Sequence, residues 1–167
     1  LLASSYFYFA CLAVNLHAVQ YGVVPRGAGI GIGVTGVAVW LVTFIPVRLG
    51  WTRNLRDPGL TLLHVLLSIS LAVTAYVLVG PSRGSCLMLL SLAMVYMMLR
   101  VSSRELVAVT AFAMGAMTAA IVGLRLTDPE GFPAAVAWAH FGLLIGCLPT
   151  LAWVGAAVSR FRGRLLE

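Results

Sequence analysis

Six apolar runs, at about residues 2–24, 28–49, 60–79, 85–99, 105–124 and 134–158, take up almost the whole chain. Each approaches the roughly 20 apolar residues that a helix needs to cross a bilayer, and only the short fourth must borrow from its flanks. In hydrocarbon every backbone N–H and C=O has to be bonded within the protein, so unalternating runs of this length read as helices. The fold expected is therefore all-α: a polytopic membrane protein with a bundle of six transmembrane helices. Charged residues make up 10% of the chain, against about a quarter in soluble domains, so lipid is the solvent for most side chains. Residues 1–158 form the transmembrane domain, and 159–167 open a cytoplasmic helix.

Orientation is carried by arginine. Arg48, Arg53 and Arg56 lie close together between the second and third runs, and such clusters are retained on the cytoplasmic side. Across the chain Arg48, Arg53, Arg56, Arg100, Arg104, Arg160, Arg162 and Arg164 fall on one face, against Arg26, Arg83 and Arg125 on the other. That asymmetry places both termini in the cytoplasm of a bacterial inner membrane. Every basic residue is an arginine at or near a span end, which makes the positive balance a topology signal and not a nucleic-acid surface. Asp57-Pro58 predicts the start of the third helix, with Asp57 as cap and Pro58 in the first position. Tyr6-Phe-Tyr-Phe9 is expected near the inner interface as part of an aromatic belt. No initiator Met begins the chain and its last residues are charged and helix-like, which reads as a segment cut from a longer protein.

The polar residues within spans are few. Asn15, His17, Gln20 and Tyr21 form the densest set, and positions 17, 20 and 21 share a helix face expected to turn into the bundle. At 1.5 Å per residue His17 and His140 lie about 9 Å from the outer ends of their spans. Together with Asn15, Gln20, Tyr21 and Trp138 they make a candidate pocket for a small molecule or a lipid. Interhelical hydrogen bonding that only joins helices is the competing reading of the same residues.

Small residues mark close helix packing. Gly29 and Gly33 open the second run, Ala111, Gly115, Ala119 and Gly123 recur every four residues in the fifth, and Gly142 and Gly146 pair in the sixth. Spacing of this kind lets a second backbone approach, in the same subunit or in a dimer partner. The Gly-rich start of the second run also matches the dinucleotide fingerprint, but it lacks the preceding strand that the fingerprint requires. Pro149 should bend the sixth helix, which then carries Arg160, Arg162 and Arg164 outward as a route for signal output.

Several chemistries find no residues. Cys11, Cys86 and Cys147 are odd in number and lie within apolar runs, so neither a disulfide framework nor a zinc site is indicated. The centres of the runs hold no Asp, Glu, Arg or Lys, which weighs against a coupled transporter. No carboxylate pair or Ser/His/Asp set shares a depth. A haem between two histidines at one depth is a further alternative. No catalytic residue, metal site or cofactor of this chain is assigned.

The segment Leu55-Arg-Asp-Pro-Gly-Leu-Thr61, then Tyr76, Gly80-Pro-Ser-Arg-Gly84, the Met- and Leu-rich fourth run and Trp138-Ala-His-Phe141 resemble the six-helix N-terminal membrane region of bacterial diguanylate cyclases. The likeness covers most of residues 48–167. It implies a sensory and dimerising module whose sixth helix leads to a GGDEF domain that makes cyclic di-GMP from GTP. GTP and Mg would belong to that output domain alone, since no GGDEF signature occurs here. A histidine kinase or a class III nucleotide cyclase could follow the same architecture, and a small transporter or a haem-binding membrane subunit stands as the reading from another class. The partners implied are the lipid bilayer and a second copy of the chain.

Overall fold

The computed structural model describes residues 2–55, 57–98 and 101–164, with the backbone alone at 2–7, 98 and 162–164. Arg56 and Arg100, counted above among the inner arginines, lie outside the described residues, as do the side chains of Arg162 and Arg164. The described chain is all-helical. Its helices are α1 Leu2–Gln20, α2 Arg26–Arg48, α3 Thr61–Leu78, α4 Arg83–Met98, α5 Ser103–Thr127 and α6 Ala134–Arg164, with a 3₁₀ turn at Gly80–Ser82. Among the described residues four of them, α2, α3, α5 and α6, are long and apolar enough to cross a membrane. At 16 residues α4 spans only about 24 Å, less than the roughly 30 Å of a hydrocarbon core. The expectation of six spans is thus met in full by four helices.

The helix ends depart from the expected ones for local reasons. α1 stops at Gln20, before residue 24. Gly22 takes φ +70°, which ends the helix in a left-handed cap: Val23 N donates to Ala18 O at 2.9 Å and Gly22 N to Val19 O at 3.1 Å. The same pair of bonds closes α2, from Trp51 N to Pro46 O at 3.0 Å and from Gly50 N to Val47 O at 3.2 Å, and a glycine suits the left-handed position that both require. α3 begins at Thr61 and not at Pro58, since Asp57 to Leu60 form a turn in which Leu60 N bonds Asp57 O at 3.0 Å. Asp57 still caps the helix, from further upstream, because its Oδ2 accepts from Leu62 N at 2.9 Å. α5 starts on a reciprocal cap in which Ser102 N donates to Glu105 Oε2 at 2.9 Å and Glu105 N to Ser102 Oγ, satisfying two donors that a helix start leaves open.

The chain forms two compact units, Leu1–Arg83 and Gly84–Glu167. In the first, α2 packs on both α1 and α3, and its core is drawn from Val65, Ile69 and Tyr76 of α3. In the second, α5 packs on α6 and buries Leu106, Val109, Ala113, Met117, Ile121 and Leu124, positions that recur at helical spacing along one face. The hairpin between them is closed by Arg125, whose Nη1 donates to Pro129 O at 3.0 Å and Phe132 O at 3.4 Å, and by Asp128, whose carboxylate accepts from Gly131 N at 2.9 Å. Pro149 lies inside α6, which stays continuous past it.

Candidate functional site

Within the first unit, four polar side chains from three helices meet. Tyr8 of α1 places its hydroxyl 2.5 Å from Ser68 Oγ of α3, and its ring stands edge-on to His64 with centroids 5.2 Å apart. His64 Nδ1 lies 2.8 Å from Thr43 Oγ1 of α2. Protons can be assigned along this chain. Thr43 directs its hydroxyl at Val39 O and Trp40 O, 3.0 and 3.1 Å away, and Ser68 directs its own at His64 O, 2.7 Å away. Each hydroxyl has one proton to give, so each oxygen is left to accept. Tyr8 then donates to Ser68, and His64 donates from Nδ1 to Thr43. The hydroxyls of Thr43 and Ser68 also occupy backbone carbonyls one turn back, so no proton is spent twice.

The positions of these residues follow from α3. His64 and Ser68 are four apart and share a face, and that face meets Thr43, itself buried on α2. Tyr8, read from sequence as part of an interfacial belt, turns its hydroxyl inward to Ser68. A depth count would have found the set, because Thr43 lies five residues from the end of α2 and His64 and Ser68 lie three and seven from the start of α3. Polar residues on adjacent helices at one level are the signal.

The residues singled out from sequence are distributed differently. Asn15 donates from Nδ2 to Gly29 O at 2.7 Å, which brings α1 onto the glycine face of α2. A Cβ at Gly29 would overlap Val19 Cγ2, and one at Gly33 would come within 3.2 Å of Leu12 Cδ1. Leu12, Asn15 and Val19 therefore form the packing face of α1. His17, Gln20 and Tyr21 lie on the other side, where the rings of His17 and Tyr21 meet at a tilt with centroids 4.5 Å apart and Tyr21 is 68% exposed. Their face points outward because the glycines of α2 select its opposite. In the second unit Trp138 is exposed beside Phe141, with ring centroids 6.0 Å apart, and half-buried His140 stands 6.0 Å from the buried Phe132.

Ala111, Gly115 and Ala119 occupy the exposed side of α5, with Gly123 half-buried, and a Cβ at Gly115 or Gly123 would meet nothing within 4 Å. Gly142 and Gly146 on α6 are also exposed and open. A cavity of about 140 Å³ lies between α4 and α6, lined by residues including Leu87, Met88, Leu144 and Leu148. Its polar liner Ser91 donates to Leu87 O at 3.0 Å, and the rest of the lining is mostly apolar. Arg160 is exposed near the end of α6. Comparison of the chain with protein-family models, with curated proteins and with solved structures finds no match.

Proposed function

We propose that this chain is the membrane-embedded sensory and dimerising input region of a cytoplasmic signalling enzyme in a bacterial inner membrane, with all six helices crossing the bilayer and both termini inside. The observation that carries the reading is α6. Its 31 residues measure about 46 Å along the axis, about 16 Å more than a hydrocarbon core is thick. One continuous helix therefore runs from the α5–α6 hairpin, through the apolar segment, to an arginine-rich end at Arg160. A rigid rod of this kind transmits a rotation or a shift made within the membrane to whatever it is joined to.

The polar network of Tyr8, Ser68, His64 and Thr43 supplies an element for a signal to rearrange, because a molecule that competes for any of its groups must break a tie between helices. Such a molecule shifts the helices only by its difference in affinity for the two arrangements. The outward, open ridge of Ala111, Gly115, Ala119 and Gly123 supports a homodimer in which a second copy approaches α5 closely. A diguanylate cyclase is the output enzyme that the resemblance of residues 48–167 favours, and GTP and Mg would be bound there.

The reading frame downstream of Glu167 tests the proposal. A short heptad repeat followed by a GGDEF-type or other catalytic domain is the expected result. A stop codon directly after Glu167 would overturn it.

A further inference from the structure

The loop between α2 and α3 exposes apolar and cationic groups together. α2 and α3 are each long and apolar enough to cross a membrane and pack on one another, so the loop between them lies at a membrane surface whichever way the chain faces. Trp51 follows the glycine that ends α2 and is 72% exposed, although an indole is among the side chains with most to gain from burial. Leu49 and Leu55 flank it and are exposed as well. Arg48 closes α2, and no described residue bonds or pairs with its guanidinium or with that of Arg53. Arg53 is held in place all the same. A Cβ at Gly50 would sit 2.9 Å from Arg53 Nε and 3.3 Å from its Cζ, so the guanidinium lies folded over the bare glycine at the carboxyl end of α2.

The loop beneath them is built and not slack. Thr52 is buried and donates from Oγ1 to Pro58 O at 2.6 Å, Leu55 N bonds Thr52 O at 3.0 Å, and Asp57 is occupied in capping α3. The carboxylate of this loop therefore faces the α3 amide at Leu62. We propose that this loop is a headgroup site for anionic phospholipid, in which Arg48 and Arg53 take the phosphate oxygens and Trp51 enters the boundary between headgroups and acyl chains. Guanidinium forks match phosphate geometry, and indole rings settle at that level of a bilayer. The site rests on the loop lying at a bilayer surface and not on the sensory reading or on orientation.

Titration of the full chain in detergent with phosphatidylglycerol and phosphatidylcholine of matched acyl chains, read by native mass spectrometry, tests the site. Phosphatidylglycerol should be retained about 25-fold more strongly. Each arginine at a surface contributes about fivefold, so Arg48→Gln with Arg53→Gln should bring the two lipids to parity. Arg125→Gln, which removes a guanidinium already engaged by carbonyls, should leave the preference intact. Equal retention by the unaltered protein, or a preference that survives the double substitution, would overturn the proposal. So would displacement of the lipid by millimolar inorganic phosphate, which would make this a site for the free ion. A second measurement does not depend on the arginine variants: with Trp40, Trp138 and Trp153 changed to Phe, Trp51 should be quenched more by lipids brominated near the headgroup than by lipids brominated near the chain end. No quenching, or the reverse order, counts against the site. Symmetrical vesicles offer anionic headgroups on both faces, so an error in orientation leaves the expected result unchanged.

Discussion

Thr43 Oγ1 and His64 Nδ1 lie 2.8 Å apart and tie α2 to α3 by side chains alone, well inside the first unit. The tie is worth little more than a surface bond despite its apolar surroundings, because polar groups in membrane helices also find partners before folding. A double-mutant cycle with Thr43→Val and His64→Leu should give a coupling energy of about 0.6 kcal/mol, read by unfolding in detergent. A coupling near zero would show that the two groups do not depend on one another.

The glycines of α2 should differ sharply in what they tolerate. Gly29→Ala places a methyl on Val19 Cγ2 and should cost about 1–3 kcal/mol by forcing α1 away. Gly33→Ala meets only the end of Leu12, a flexible side chain, and should cost less. At Gly31 nothing lies within 4 Å, so Gly31→Ala should be neutral or slightly stabilising through helix propensity. Thermal unfolding of the three variants in one detergent checks the order.

The two sides of α5 make opposite predictions. Met117 is buried, and Met117→Ala should lower stability by about 2–5 kcal/mol. Gly115 faces open space, so Gly115→Leu should leave monomer stability within about 0.5 kcal/mol. Any loss caused by Gly115→Leu should then appear only in the dimer fraction, measured by cross-linking in membranes. A fall in monomer melting temperature would mean that the ridge packs inside the chain.

Orientation can be read with reporters. A reporter active only in the cytoplasm should work when fused after Glu167, and one active only outside should work when inserted at Thr127. Replacing Arg53 and Arg56 together with uncharged residues should raise the fraction of inverted chains, because it removes two of the arginines on the side proposed to be cytoplasmic. Activity in the reverse pattern would refute the topology.

The helices were legible because the bilayer leaves an apolar run little choice of backbone. Their ends were legible only in part. Asp57 was read correctly as a cap but one turn too close to its helix, since Leu60 adopts a left-handed φ of 48° that no residue preference announces. Ser102-x-x-Glu105 carries a capping signature open to inspection in the sequence. The side-chain sites were harder. Periodicity correctly grouped His17, Gln20 and Tyr21 on one face, but which face turns inward depended on Gly29 and Gly33 of the next helix. The meeting of Tyr8, Thr43, His64 and Ser68 depends on three helices at once, and a single helix pattern holds no record of its neighbours.

Asn15 finds its partner in Gly29, only 14 positions along the chain, and this bears on how the protein is made. An unpaired amide in an apolar helix costs free energy until it finds a partner, and here the acceptor arrives with the first turn of the very next helix to be synthesised. The α1–α2 pair can thus close as a hairpin, with the amide of α1 relieved before the ribosome has added α3.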